Sequence, residues 1–244
     1  QLNLTMATFS KNIVRLYGIK ISKWFNLVMP VVVLFYQDNG MGMHEIFVLK
    51  SIYSLAIVAL EIPSGWMADV WGRKKTLILG SLLGSAGFLM YSFSYGFWAF
   101  VAAEIVLGAG HSFVSGADSA MLYESLKADK KSDQYVKHEG RITSAGNFAE
   151  ALAGIAAGFL AAISLRIPFY FQFAVATLAV PAALTLKEPI IRATTQNHSV
   201  KRTILTIKNT FLKDTNLRVS ILISAVTGTA TLTFAWLVQP FLLY

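Results

Sequence analysis

Glu104, His111 and Asp118, and further along Glu150, stand inside stretches dominated by Ala, Gly, Val, Leu, Ile and Phe; Lys50 does the same on an earlier stretch. An ionisable group at membrane depth is costly, so it faces a bundle interior or a watery cavity. Such groups bind and release protons, hold a cation, or hydrogen-bond a polar solute. Placed at about 100° per residue, Glu104, His111, Ser115 and Asp118 share one helical stripe. Lys50, Ser54 and Glu61 share another, as do Thr143, Gly146, Glu150 and Gly154, with Asn147 at the edge. Lys23, Asn26, Pro30 and Gln37 align, and so do Ser220, Ser224, Thr227 and Thr231. Each stripe has a plainer reading as well. Small and hydroxylated residues on one face also close-pack helices, and a buried histidine is more often a hydrogen-bonded packing residue than a proton carrier. Glu61 and Asp118 lie near the ends of their stretches, where solvent or loop cations reach them, and Lys50 is either the counter-charge of an acid or snorkels outward.

None of these groups has the spacing of covalent catalysis. His-Glu-x2-His, paired-Asp and Gly-x-Ser-x-Gly patterns are missing, and the lack of cysteine removes disulfides and thiolate metal sites. The expectation is therefore no enzyme, no metal and no cofactor.

The elements that carry these residues are membrane spans. Of the 244 residues, 55% are hydrophobic and 14% charged, with mean hydropathy +0.56, whereas a soluble domain carries about 25% charged residues. The net charge of +8 does not point to nucleic acid, because the cations sit in the gaps between apolar runs, where the positive-inside rule puts them. The partner they imply is the lipid bilayer. Seven spans are predicted, each long enough for about 30 Å of hydrocarbon: 20–37 broken by Pro30, 44–68, 76–95, 98–123, 141–164, 168–186 and 217–243. Residues 1–19 read as a lead-in or interfacial helix, and no cleavable signal peptide is expected at Gln1-Leu-Asn-Leu. The start without methionine points to a fragment at that end. With the amino terminus cytoplasmic, all of the 21 Lys+Arg except Lys50 and Arg166 fall inside. Between the sixth and seventh spans, Val200, Ile204, Ile207 and Phe211 recur at helical spacing among Lys201, Arg202, Lys208 and Lys213, which predicts an amphipathic helix on the inner leaflet.

The loop between spans 2 and 3 reads Gly65-Trp-Met-Ala-Asp69-Val-Trp-Gly72-Arg73-Lys74. This spacing, at this ordinal loop, resembles the signature of the major facilitator superfamily of secondary transporters, with Val70 where the family usually has arginine. The resemblance implies an all-α integral membrane protein: a six-helix transmembrane half over 1–186, a cytoplasmic linker over 187–216, and the first span of a second half over 217–244. It implies a small-solute carrier of the cell (inner or plasma) membrane, working by alternating access, coupled to protons or another ion, and monomeric once the second half is present. It further implies that Gly65, Asp69, Gly72, Arg73 and Lys74 form a conformational latch, with Arg73 holding Asp69. Lys50, Glu104, His111, Asp118, Glu150 and Asn26 are then candidates for the cavity or for coupling. Two departures bear on the subtype. Glu104 stands where many drug and sugar carriers have the arginine of Arg-x2-Gln-Gly, and Gly154-Ile-Ala-Ala-Gly158 lacks the Gly-Pro pair common in proton-coupled drug antiporters. A lipid flippase on the same fold is the alternative. A seven-span receptor fits less well with a cytoplasmic amino terminus, and a retinal protein lacks the required lysine in its last span.

Overall fold

The computed structural model describes residues 2–189, 211 and 213–241, with side chains over 11–189, 211 and 213–239. Regular structure among the described residues is helical throughout. Span 1 is two helices, α1 (Leu2–Trp24) and α2 (Val32–Asp38). The predicted break at Pro30 thus opens several residues earlier and is wider than a kink. Proline disfavours helical geometry at the residue before it and removes one backbone donor. Asn26 adds a competing local fold, its Oδ1 accepting the N–H groups of Val28 at 3.0 Å and Met29 at 3.1 Å. The predicted lead-in over 1–19 is continuous with α1.

Helix α3 (Met43–Trp71) and helix α4 (Arg73–Phe93) meet at Gly72, whose φ of +98° needs a residue without Cβ. Span 4 is also divided, into α5 (Phe97–Val114) and α6 (Ala117–Ala128), with Gly116 at φ +73° between them. Helix α7 (Tyr135–Ile163) begins earlier than the predicted 141, following a single 3-10 turn at Ser132–Gln134. Helices α8 (Ile167–Thr185) and α9 (Thr215–Phe241) complete the described chain. Residues 200, 204 and 207 of the predicted amphipathic linker lie outside the described residues. Six helical stretches among the described residues are long and apolar enough to cross a membrane, in addition to the divided span 1.

The spans alternate between two ends of the bundle. At the end holding Gly72, Asn12 of α1 donates to the Lys187 carbonyl at 2.6 Å and to Ser125 Oγ of α6 at 3.1 Å. At the far end the Arg166 guanidinium donates to the Ser92 and Ser94 carbonyls at 3.1 and 3.0 Å and to Asn39 Oδ1 at 3.0 Å. Two large apolar cores fill the space between, with a small third one of Leu27, Ala153 and Ala157. The one nearer Gly72 contains Leu16, Leu77, Met121, Leu122 and Ala183. The far one contains Phe35, Tyr36, Leu49, Tyr91, Phe100 and Phe169. Helices α4, α5 and α8 form the centre of the packing. In contrast, none of the most apolar window of α9 is buried, and only 11% of that of α3. These helices present surface that the described chain does not cover.

Close approach of α4 and α5 depends on Gly110. A Cβ there would lie 2.6 Å from the Gly84 backbone nitrogen and 3.1 Å from the Gly80 carbonyl oxygen, contacts that only movement of a helix could relieve. Gly110→Ala is therefore expected to destabilise the bundle by about 1–3 kcal/mol in detergent unfolding, the usual cost of overpacking. Gly84→Ala, where a Cβ meets nothing within 4 Å, should leave stability unchanged or slightly raised; equal losses in the two variants would refute the assignment of the contact to Gly110.

Candidate functional site

The predicted polar residues separate into three groups at successive depths. Farthest from Gly72, Glu104 of α5 is 1% exposed. Its Oε1 accepts from Lys50 Nζ of α3 at 2.7 Å and from the Tyr36 hydroxyl of α2 at 2.8 Å. The Tyr36 and Tyr91 hydroxyls lie 2.5 Å apart, and Phe35, Phe100 and Phe169 close around them. Lys50 is thus the counter-charge of an acid and does not snorkel, and Glu104 is enclosed by its partners.

The middle group surrounds a crevice of about 140 Å³ between α1, α3, α4, α5 and α8. Lys23, Asn26, Tyr53, His111 and Gln172 supply polar groups to its lining, and Phe88, Leu107 and Val114 apolar ones. Tyr53 hydroxyl and His111 Nδ1 are 3.1 Å apart. The crevice lies beside the unwound stretch of span 1, whose backbone is satisfied by side chains from three spans. Besides the Asn26 bonds, Gln172 Oε1 of α8 accepts the Leu27 N–H at 2.8 Å. From α9, Gln239 accepts the Val33 N–H at 3.0 Å and donates to the Met29 carbonyl at 2.8 Å.

Nearest Gly72, Lys20 of α1 holds Glu139 Oε1 at 2.5 Å, Ser119 Oγ at 3.0 Å and Asp118 Oδ2 at 3.8 Å. Asp118 therefore pairs with α1 and is not brought to His111 or Glu104. On the α3–α4 hairpin, Asp69 Oδ1 accepts from Arg73 Nη2 at 3.2 Å, and Arg73 Nε donates to Glu124 of α6 at 2.7 Å. Glu188, just beyond α8, receives the first backbone N–H groups of α4, Arg73 and Lys74, each at 2.8 Å. A carboxylate there satisfies orphan donors and complements the helix dipole. Gly65 is exposed, and a Cβ on it would meet nothing within 4 Å.

Glu150 joins none of these groups. Helix α7 buries Ile142, Gly146, Ala149, Ala153 and Ala157, and a Cβ on Gly146 would sit 2.8 Å from the Trp24 ring. Its exposed apolar residues are Phe148, Leu152, Ile155, Phe159 and Ile163. At about 100° per residue, Glu150 lies roughly opposite that apolar face, on the uncovered side with Thr143 and Asn147. Glu124, Glu139, Glu188, Gln172 and Gln239 were missed by periodicity. The two glutamines carry a usable signal, a lone amide in an apolar run. The three acids adjoin loops and give none.

A family model described as Major Facilitator Superfamily matches residues 22–243. The quinolone resistance protein NorA of Staphylococcus aureus is 24% identical over 169 residues, 69% of this chain and 42% of that protein. An uncharacterised MFS-type transporter of Methanocaldococcus jannaschii is 23% identical over 198 residues, 81% of this chain and 50% of that protein. The chain thus spans half or less of the length of these relatives. A crystal structure of a peptide transporter, POT, in complex with sulfate superposes with a TM-score of 0.60 at 15% identity, over 93% of this chain and 49% of that one. This last likeness is one of fold.

The enclosed ion pair makes a quantitative expectation. Lys50→Met leaves Glu104 without its counter-charge in an apolar surround and should cost about 3–5 kcal/mol in detergent unfolding. The double variant Lys50→Met/Glu104→Gln keeps an acceptor for Tyr36 and removes the charge, so most of that loss should return. A double variant no more stable than Lys50→Met alone would show that the pair is not what holds the site.

Proposed function

The chain belongs to the major facilitator superfamily, and from that membership we propose that it forms the first half, with the opening span of the second, of a carrier moving a small solute by alternating access. The observation that carries the proposal is polar lining within an apolar bundle: the crevice of Lys23, Asn26 and His111 between the helices, with the exposed carboxylate of Glu150 on α7. Two halves rocking about such a central site expose it to each side in turn. The Gly72 hairpin is the cytoplasmic one on this reading, because its end of the bundle carries Arg73, Lys74, Lys75, Lys127, Lys130, Lys131 and Lys137. Glu150, an acid at membrane depth without an ion pair among the described residues, is the group for proton or cation coupling.

Asp69 is the moving contact of the latch. Its side chain is 39% exposed, and Arg73 binds only one of its oxygens. The other is available to the N-terminus of a second-half helix, where backbone N–H groups and dipole favour a carboxylate. Glu124 and Glu188 hold Arg73 and the start of α4, so that the hairpin moves with its own half.

The test is flux in proteoliposomes containing the full-length carrier, with a quinolone, norfloxacin, as solute. Asp69→Asn should lower flux about tenfold or more, while the loss of an exposed pair changes stability by less than about 1 kcal/mol. Flux equal to the parent's would remove the latch, and a parent that moves no solute would remove the carrier reading itself.

A further inference from the structure

Three lysines stand within the spans on α1 and α3. Lys20 and Lys50 each have a carboxylate within 4 Å, whereas Lys23 has no ion pair among the described residues. Asp118 and Glu61 attract it only from farther off. Lys23 is also the one formally charged side chain lining the crevice.

Its polar neighbours there are biased toward donation. The oxygens of Asn26 and Gln172 are committed to backbone N–H groups of the unwound stretch. Because an N–H can only donate, this fixes which end of each amide is free, and it is the NH2 end. Tyr53 hydroxyl and His111 Nδ1 share a hydrogen bond; in the tautomer in which Tyr53 donates, the His111 proton is on Nε2 and free to donate into the crevice. The crevice therefore presents an ammonium and the amide N–H groups of Asn26 and Gln172, with both acceptor sites of Asn26 and one of Gln172 taken, beside the Ser22 and Ser81 hydroxyls and between walls formed by Phe88, Leu107 and Val114.

Resting on the carrier reading above, we propose that this crevice receives the carboxylate of an organic acid, with Lys23 as the charge partner and specificity-determining residue and Asn26 and His111 as hydrogen-bond donors. A carboxylate is acceptor-only when ionised and matches such a donor set. Charge-assisted bonds are the strong ones, and the apolar walls suit an aromatic or aliphatic remainder. A neutral amide of the same shape offers fewer acceptor sites and no charge for Lys23.

The experiment uses the full-length carrier in nanodiscs with 1-naphthoate and 1-naphthamide, binding being measured by isothermal titration. The parent should bind naphthoate about ten- to a hundredfold more tightly than the amide, the range expected of hydrogen bonds to a charged group. Lys23→Gln should abolish that preference, and Lys23→Arg should retain most of it. Equal affinities in the parent, no binding of either probe, or a preference surviving in Lys23→Gln would overturn the proposal. Flux of norfloxacin, followed in parallel, keeps the two readings apart. Flux without naphthoate preference leaves a carrier without this site, whereas binding without flux of any solute leaves a carboxylate site and removes the carrier.

Discussion

A backbone that leaves its helix within hydrocarbon must find hydrogen-bond partners there, because no water is present to supply them. Between Phe25 and Val31 span 1 is in this position, and the organisation of the site depends on how it is met. Asn26 serves its own loop, Gln172 reaches in from α8, and Gln239 from α9 contributes one acceptor and one donor. Three spans distant in sequence are joined at one irregular stretch. Had α1 continued through Pro30 as a regular helix, these amides would be buried without purpose and the crevice beside them would be filled.

Buried charge obeys a similar rule. Lys50 with Glu104 ties α3 to α5, and Lys20 with Glu139 and Asp118 ties α1 to α7 and α6. The desolvation of such pairs roughly cancels their attraction, so their effect lies in register: a helix rotated out of place would leave an unpaired charge in an apolar surround. Pairing consumes Lys50, Glu104 and Asp118 of the polar stripes, whereas Lys23, Glu61 and Glu150 have no ion pair among the described residues.

At the Gly72 end the ties are of another kind. Gly72 adopts a conformation closed to other residues, Glu188 fastens the first turn of α4, and Arg73 bridges Asp69 to Glu124. Ends of α3, α4 and α6 and the segment after α8 are thereby linked through partly exposed groups. Individually these bonds are weak, screened by solvent. Such an arrangement suits a contact that is made and broken, while the cores around Leu77 and Phe100 keep the half intact.

Hydrophobic run length, cation placement and the Gly65–Lys74 loop were enough to read the spans and the family, because those features follow from the bilayer itself: its thickness sets the length of a span, and its charge asymmetry is written in short loops. The breaks were only half legible. Pro30 marked the one in span 1, but the extent of unwinding came from Asn26, and nothing in the apolar run warned of Gly116. Periodicity put Glu104, His111 and Asp118 on one stripe, yet the fold assigns them to different groups, since neighbours on one helix face can meet different helices along its length. Partner identity is a property of three dimensions: Lys50 lies 54 residues from Glu104 and Gln239 lies 206 from Val33, separations over which no spacing rule operates. Composition and pattern therefore determined that this chain spans a membrane and carries polar faces on particular helices, whereas packing alone decided which of their charges are paired and which are left uncovered.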